Sequence, residues 1–209
     1  YTPAIICSVP FIALGFYFIR QSDIAFWNSV LAQAVGGVTM GAALYYLAAY
    51  SCRHVGKWLE DRMFQYGRSF PTTLFLLDQD DNCSPDRKKE ILAKIKTEFT
   101  IDLKDSTTGS LAGRKRIHEA IGHIRQRFFK KNDLILQRNI YFGFAKNLAG
   151  GSLVAIIASL LSLVLSRITD SQVAEQVSLI MLTGYLILFV YGLTAMKSNA
   201  KRYAHTLFD

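Results

Sequence analysis

Apolar residues in this chain do not alternate with polar ones; they gather in blocks. Four blocks contain no Asp, Glu, Lys or Arg, over residues 3–19, 24–50, 148–166 and 177–196. A helix that crosses a bilayer needs about 20 mostly apolar residues, with a range of about 17–25. Each block is long enough, and a soluble core seldom supplies four charge-free runs in one chain. The pattern predicts an all-α polytopic membrane protein with four spanning helices. "RQSD" at 20–23 and "RITDSQVAEQ" at 167–176 are short connections. They pair the spans into two antiparallel hairpins, over 1–50 and 148–196. Residues 51–147 form a water-facing insert between them, and 197–209 form a tail.

Inside the insert the period changes to that of amphipathic helices. "RHVGKWLEDRMFQYG" continues from the second span, with Val55, Leu59, Met63 and Tyr66 on one side and Gly67 ending it. "RSFPTTLFLLDQDD" is a core-like apolar stretch. "SPDRKKEILAKIKTEF" opens with Ser84 as N-cap, Pro85 at the first position and Asp86 in the first turn, and aligns Ile91, Ile95 and Phe99. After the loop "DSTTGSLAG", residues 114–144 read as one helix with Ile117, Ile121, Ile124 and Phe128 in register, and with Gly143 as a breaking or kinking point.

Composition sharpens this picture. The chain of 209 residues is 51% hydrophobic, yet only 19% is charged. The insert holds 19 of its 24 Lys/Arg and 12 of its 16 Asp/Glu. The short connections carry Arg20 and Arg167, balanced by Asp23, Asp170 and Glu175. Cationic loops stay on the cytoplasmic side. The expected location is therefore the inner (plasma) membrane, with both termini and the insert in the cytoplasm. The first residue is Tyr, which points to a preceding N-terminal piece, and no basic region precedes the first block as a signal peptide requires. Cys7, Cys52 and Cys83 are odd in number and widely spaced, which argues against a disulfide framework or a zinc site.

Three sets of residues are candidates for function. Between 113 and 147 stand nine basic residues, Arg114, Lys115, Arg116, Arg125, Arg127, Lys130, Lys131, Arg138 and Lys146, against Glu119 and Asp133. The first seven are candidates for binding a partner or an anion. The bland alternative is a solvated face beside anionic lipid headgroups, where each cation is worth about 1 kcal/mol. An acidic protein partner comes next, and nucleic acid or a nucleotide messenger after it. Second, Ala34, Gly37 and Gly41 give the second span a small-residue spacing that lets backbones approach, within the chain or between copies. Third, Ser152, Ser159, Ser162 and Ser166 share one face of the third span. They line either a packing seam or a wet pathway. No ionisable residue lies in any span, which counts against a pump or transporter.

Several motifs fall short. "HEAIGH" at 118–123 places its histidines five apart, about 140° around a helix, where a zinc protease needs four. "DQDDNCSPDRKKE" at 78–90 lacks the glycine and final glutamate of a calcium loop. "GSLAGRK" at 109–115 is too short for a phosphate loop, although it could offer backbone N–H groups to an anion. The Arg114/His118 spacing is too brief to define a ribonuclease. Neither a catalytic residue nor a cofactor or metal is expected.

The two hairpins around a basic helical insert, with "FPTTLFLL" at 70–77 and "NIYFGFAKNL" at 139–148, resemble small four-pass bacterial membrane components of phage-defence systems, the membrane subunits of Kiwa-type systems among them. That resemblance implies a homo-oligomer working with a soluble partner, and it transfers no catalytic residue. The function expected from all of this is that of an oligomeric sensor, effector or scaffold in antiviral defence that engages a cytoplasmic protein. The alternatives are a pore-forming channel and a nucleotide-responsive or enzymatic insert.

Overall fold

The structure, a computed structural model, describes residues 2–21, 30–79, 83–128 and 133–208, with side-chain surroundings for 2–12, 39, 41–43, 45–79, 83–127 and 133–208. Among the described residues every regular element is helical. In chain order they are α1 (Thr2–Gln21), α2 (Val30–Met63), α3 (Pro71–Phe75), α4 (Pro85–Phe99), a 3-10 turn at Lys104–Ser106, α5 (Leu111–Phe128), α6 (Asp133–Ile168) and α7 (Gln172–Phe208). The expected all-α class holds. Two of these helices, α6 and α7, are long and apolar enough to cross a membrane, with mean hydropathy 2.4 and 2.0 over their most apolar windows. They carry the third and fourth expected spans. The first expected span falls on α1, whose side chains are described only as far as Ile12, and the second falls largely on residues whose side chains lie outside the described set.

The chain divides into two compact units, Tyr1–Leu59 with Lys146–Leu193 and Glu60–Ala145 with Thr194–Asp209. The first unit is built on close backbone approach. A Cβ on Gly150 would collide with the backbone nitrogen of Gly56 and come within 2.6 Å of the Cys52 carbonyl oxygen. One on Gly192 would lie 2.8 Å from the Ala149 nitrogen. Small residues at these points let helices touch without intervening side chains. Ala4, Cys7, Cys52, Ala155, Ile156 and Tyr185 form its buried cluster. Pro10 lies inside α1 and is fully buried. Having no N–H, it leaves the carbonyl of Ile6, four residues back, without its helical donor. The Tyr185 hydroxyl donates to that carbonyl at 2.7 Å, so α7 repairs the gap in α1.

The second unit packs Phe75, Leu76 and Leu77 against Ile91 and Ile95 of α4, Ile117, Ile121 and Ile124 of α5, and Phe208. α4 starts as its sequence dictates, with the Ser84 side chain accepting from the Arg87 N–H at 3.3 Å. α2 ends where Gln65, Tyr66 and Gly67 turn to positive φ (48°, 56° and 86°). Thr73 Oγ1 then donates to the Gly67 carbonyl at 2.9 Å.

The helix expected over 114–144 is described in two pieces: α5 ends at Phe128 and α6 begins at Asp133, whose carboxylate sits in a first turn that favours negative charge, and 129–132 lie outside the described residues. α6 then runs unbroken through Gly143, so that glycine is no break. The tail expected at 197–209 is largely the end of α7. Met196, Ala200, Tyr203, Ala204 and Phe208 recur at helical spacing, and all are buried.

Candidate functional site

Five of the seven cationic candidates, Arg114, Lys115, Arg116, Arg125 and Arg127, sit on α5, but not as one surface. Arg114 and Arg125 are eleven residues apart, about 20° around the helix, and so share an edge; Arg116 and Arg127 share another, about 200° away. The buried stripe of Ile117, Ala120 and Ile124 runs between them. Part of the charge is already engaged. Arg114 Nε donates to the Gly109 carbonyl at 3.0 Å, and Lys115 pairs with Glu119 at 3.8 Å. Arg127 donates to the Glu98 carbonyl at 3.1 Å and lies 5.3 Å from the Phe99 ring centre. Lys130 and Lys131 lie outside the described residues. At the start of α5, the Ser110 hydroxyl accepts from the Gly113 N–H at 3.1 Å, so a side chain already occupies part of the anion position offered by "GSLAGRK".

Arg125 borders a cavity of about 90 Å³ within the second unit. Its polar lining is Glu60 from α2, Thr72 from α3, His118 and Arg125 from α5, Asn139 from α6 and Tyr203 from α7. Phe70, Ile121 and Phe142 supply apolar wall, and Phe70 and Phe142 meet edge to face with centroids 5.4 Å apart. The His118 ring lies against Gly67: a Cβ there would come within 2.5 Å of Nδ1. Tyr203 is 4% exposed, and its hydroxyl is buried with no hydrogen-bond partner among the described residues. Burial pushes its phenol above the ordinary value, while the charge of Arg125 pulls it down.

The serine stripe faces inward. Ser152, Ser159 and Ser166 are buried. Ser159 Oγ donates to the Ala155 carbonyl and Ser166 Oγ to that of Leu163, both at 2.8 Å. Ser162 and Ser178 join hydroxyl to hydroxyl across α6 and α7 at 2.9 Å, and Ser178 donates onward to Ala174 at 2.7 Å. Of the two readings of the stripe, this geometry favours a packing seam inside one chain. At Gly41 the outcome differs: a Cβ there meets no described atom within 4 Å, and the close approach in this unit is made at Gly56, Gly150 and Gly192 instead. The side chain of Ala34 and the surroundings of Gly37 lie outside the described set. Cys7 and Cys52, 45 positions apart in sequence, both reach the same point beside Gly151.

His118 and His123 diverge around α5, and among the described residues no three His, Cys, Asp or Glu gather as metal ligands. In the turn expected at 78–90, Lys88 Nζ donates to the Leu77 carbonyl at 2.6 Å, which accounts for the buried lysine there. The sequence pointed to Arg125 and noticed His118, but gave no role to Glu60, Asn139 or Tyr203. The signal for Tyr203 was its place in the helical pattern after Met196. Glu60 and Asn139 carried no local signal, since only folding brings α2 and α6 to the same cavity.

Comparison with family models, with curated proteins and with solved structures finds no match to this chain.

Proposed function

We propose that the chain is an integral, four-span membrane protein of the bacterial inner membrane, with its termini and basic insert in the cytoplasm. In this reading it acts without catalysis, as an oligomeric sensor, effector or scaffold in antiviral defence, and the cationic edges of α5 engage an acidic cytoplasmic protein. One observation carries the membrane part: the outer faces of α6 and α7 are apolar and uncovered. Leu160, Leu161 and Val164 on α6 are exposed, as are Ile180, Ile187 and Val190 on α7. Only 17% of the most apolar window of α7 is buried, where the core helix of a soluble protein is mostly buried. Lipid is the solvent that such a surface fits.

Ile187→Arg tests this. Ile187 is 66% exposed near the middle of its apolar block. In water an exposed substitution of this kind stays within about 0.5 kcal/mol of neutral. In a bilayer it costs about 3–4 kcal/mol, the difference between isoleucine and arginine at a helix centre. The expected result is loss of the variant from the alkali-resistant membrane fraction, with Ile187→Ala retained. A soluble protein that tolerates Ile187→Arg overturns the membrane reading. Native mass spectrometry of the protein purified in mild detergent tests the rest: a homo-oligomer with a stoichiometric soluble companion is expected, and a bare monomer opposes it.

A further inference from the structure

Cys7 of α1 and Cys52 of α2 meet inside the first unit. A Cβ on Gly151 would lie 2.5 Å from the Cys52 Sγ and 2.6 Å from the Cys7 Sγ. Glycine at 151 is therefore what leaves room for both sulfurs. The two thiols hydrogen-bond to each other, and both cysteines are free. Sulfurs in such contact are the starting geometry for an S–S bond of about 2.05 Å. Both residues are buried, at 1% and 3% exposure. Burial makes an isolated cysteine inert. A pair in contact differs, because the first sulfur to be oxidised finds a resolving thiol already beside it. The cluster around them, Ala4, Ala155, Ile156 and Tyr185, carries no charge, so the oxidant that suits this place is small and uncharged.

We propose that Cys7 and Cys52 are a redox-active dithiol that hydrogen peroxide converts to a disulfide, clamping α1 to α2. One sulfur, as thiolate, attacks a peroxide oxygen. The O–O bond breaks, and the departing hydroxide takes up the thiol's proton as water, leaving a sulfenic acid. The second sulfur displaces the sulfenic hydroxyl, which leaves with the second proton as water, and the S–S bond forms. The two thiols give up two electrons and two protons, and peroxide takes them all. Three widely spaced cysteines do not make a structural framework, but two of them brought together by folding make a reversible bond across 45 positions of chain. The inference concerns the first unit alone and does not rest on the proposed function.

The test is millimolar hydrogen peroxide on the folded, full-length protein in detergent. Catalase then removes the peroxide, and the chain is unfolded in an alkylating reagent for intact-mass measurement and peptide mapping. The expected product is a single chain lighter by two hydrogens, with the peptides of Cys7 and Cys52 linked and both thiols restored by a phosphine. Its melting temperature should rise by about 5 °C or more, since a cross-link over 45 positions restricts the unfolded chain. Cys7→Ser and Cys52→Ser should each abolish the link and the rise, and Cys83→Ser should leave both unchanged. Mapping of the unsubstituted protein decides the matter even where a serine variant fails to fold. Recovery of Cys7 and Cys52 as thiols after the treatment would overturn the proposal and make them sealed packing residues. So would sulfinic or sulfonic acid on either one without a link, or a bond that joins Cys83 or two chains in place of the pair. A link that leaves the melting temperature unchanged would overturn the clamp.

Discussion

Tyr185 and Pro10 make a prediction about the first unit. Tyr185→Phe removes one oxygen and leaves the ring in its buried place. The lost oxygen is the donor at 2.7 Å to the Ile6 carbonyl, which Pro10 deprives of its helical partner. A hydrogen bond between helices in a bilayer is worth about 0.6 kcal/mol on average and at most about 1.7. Stranding a buried carbonyl adds a desolvation penalty of about 1–3 kcal/mol. We expect a total near 2 kcal/mol, and hence a fall in melting temperature of about 4–8 °C for a chain of this size. The cause can be isolated with Pro10→Ala, which restores an N–H to the Ile6 carbonyl. In that background Tyr185→Phe should cost no more than about 0.6 kcal/mol. The assay is thermal unfolding in detergent of wild type, both single variants and the double variant. A cost for Tyr185→Phe that is the same in both backgrounds refutes the reasoning, because the hydroxyl would then matter for some reason other than the missing helical bond.

Other outcomes follow from the same geometry. Gly67→Ala should destabilise by about 2 kcal/mol or more, because its φ of 86° resists a Cβ and the His118 ring occupies the space, whereas Gly143→Ala, in open space within α6, should stabilise by about 0.5–1 kcal/mol; melting temperatures report both. Gly150→Ala should cost about 3 kcal/mol in the same assay, since its new Cβ meets the backbone of Gly56 and Cys52 rather than a side chain that could swing away. The Lys96 ammonium, 2.6 Å away, holds the Asp102 carboxyl below the usual aspartate value, helped by the Lys104 N–H. Asp102 therefore stabilises the fold at neutral pH and loses that effect as the pH falls below the ordinary aspartate value toward the lowered one. Asp102→Asn should melt earlier than wild type at pH 7 and together with it in strong acid, as circular dichroism melts across pH would show.

The sequence by itself determined what each segment must avoid. Charge-free blocks at 148–166 and 177–196 cannot be solvated along their length, and the structure gives them as α6 and α7, two long apolar helices with exposed apolar faces. Ser84 and Pro85 fixed the start of α4 because capping is a local hydrogen bond. The stripe of Ile117, Ile121 and Ile124 fixed the buried face of α5 because helical period is local too. Tertiary structure decided which segments meet. Gly41 carries the small-residue spacing and Gly56 does not, yet among the described residues it is Gly56 that meets another backbone, since close approach depends on where a second helix crosses. A serine stripe reads in sequence as a packing seam or a wet pathway, and no spacing in sequence shows that Ser162 meets Ser178. Tyr203 reads as part of a tail until α7 carries it to Arg125, Glu60 and Asn139. Those residues come from four helices spread over 144 positions of chain, and no spacing rule spans such a distance. Local chemistry set the helices and their faces; long-range packing set the cavity.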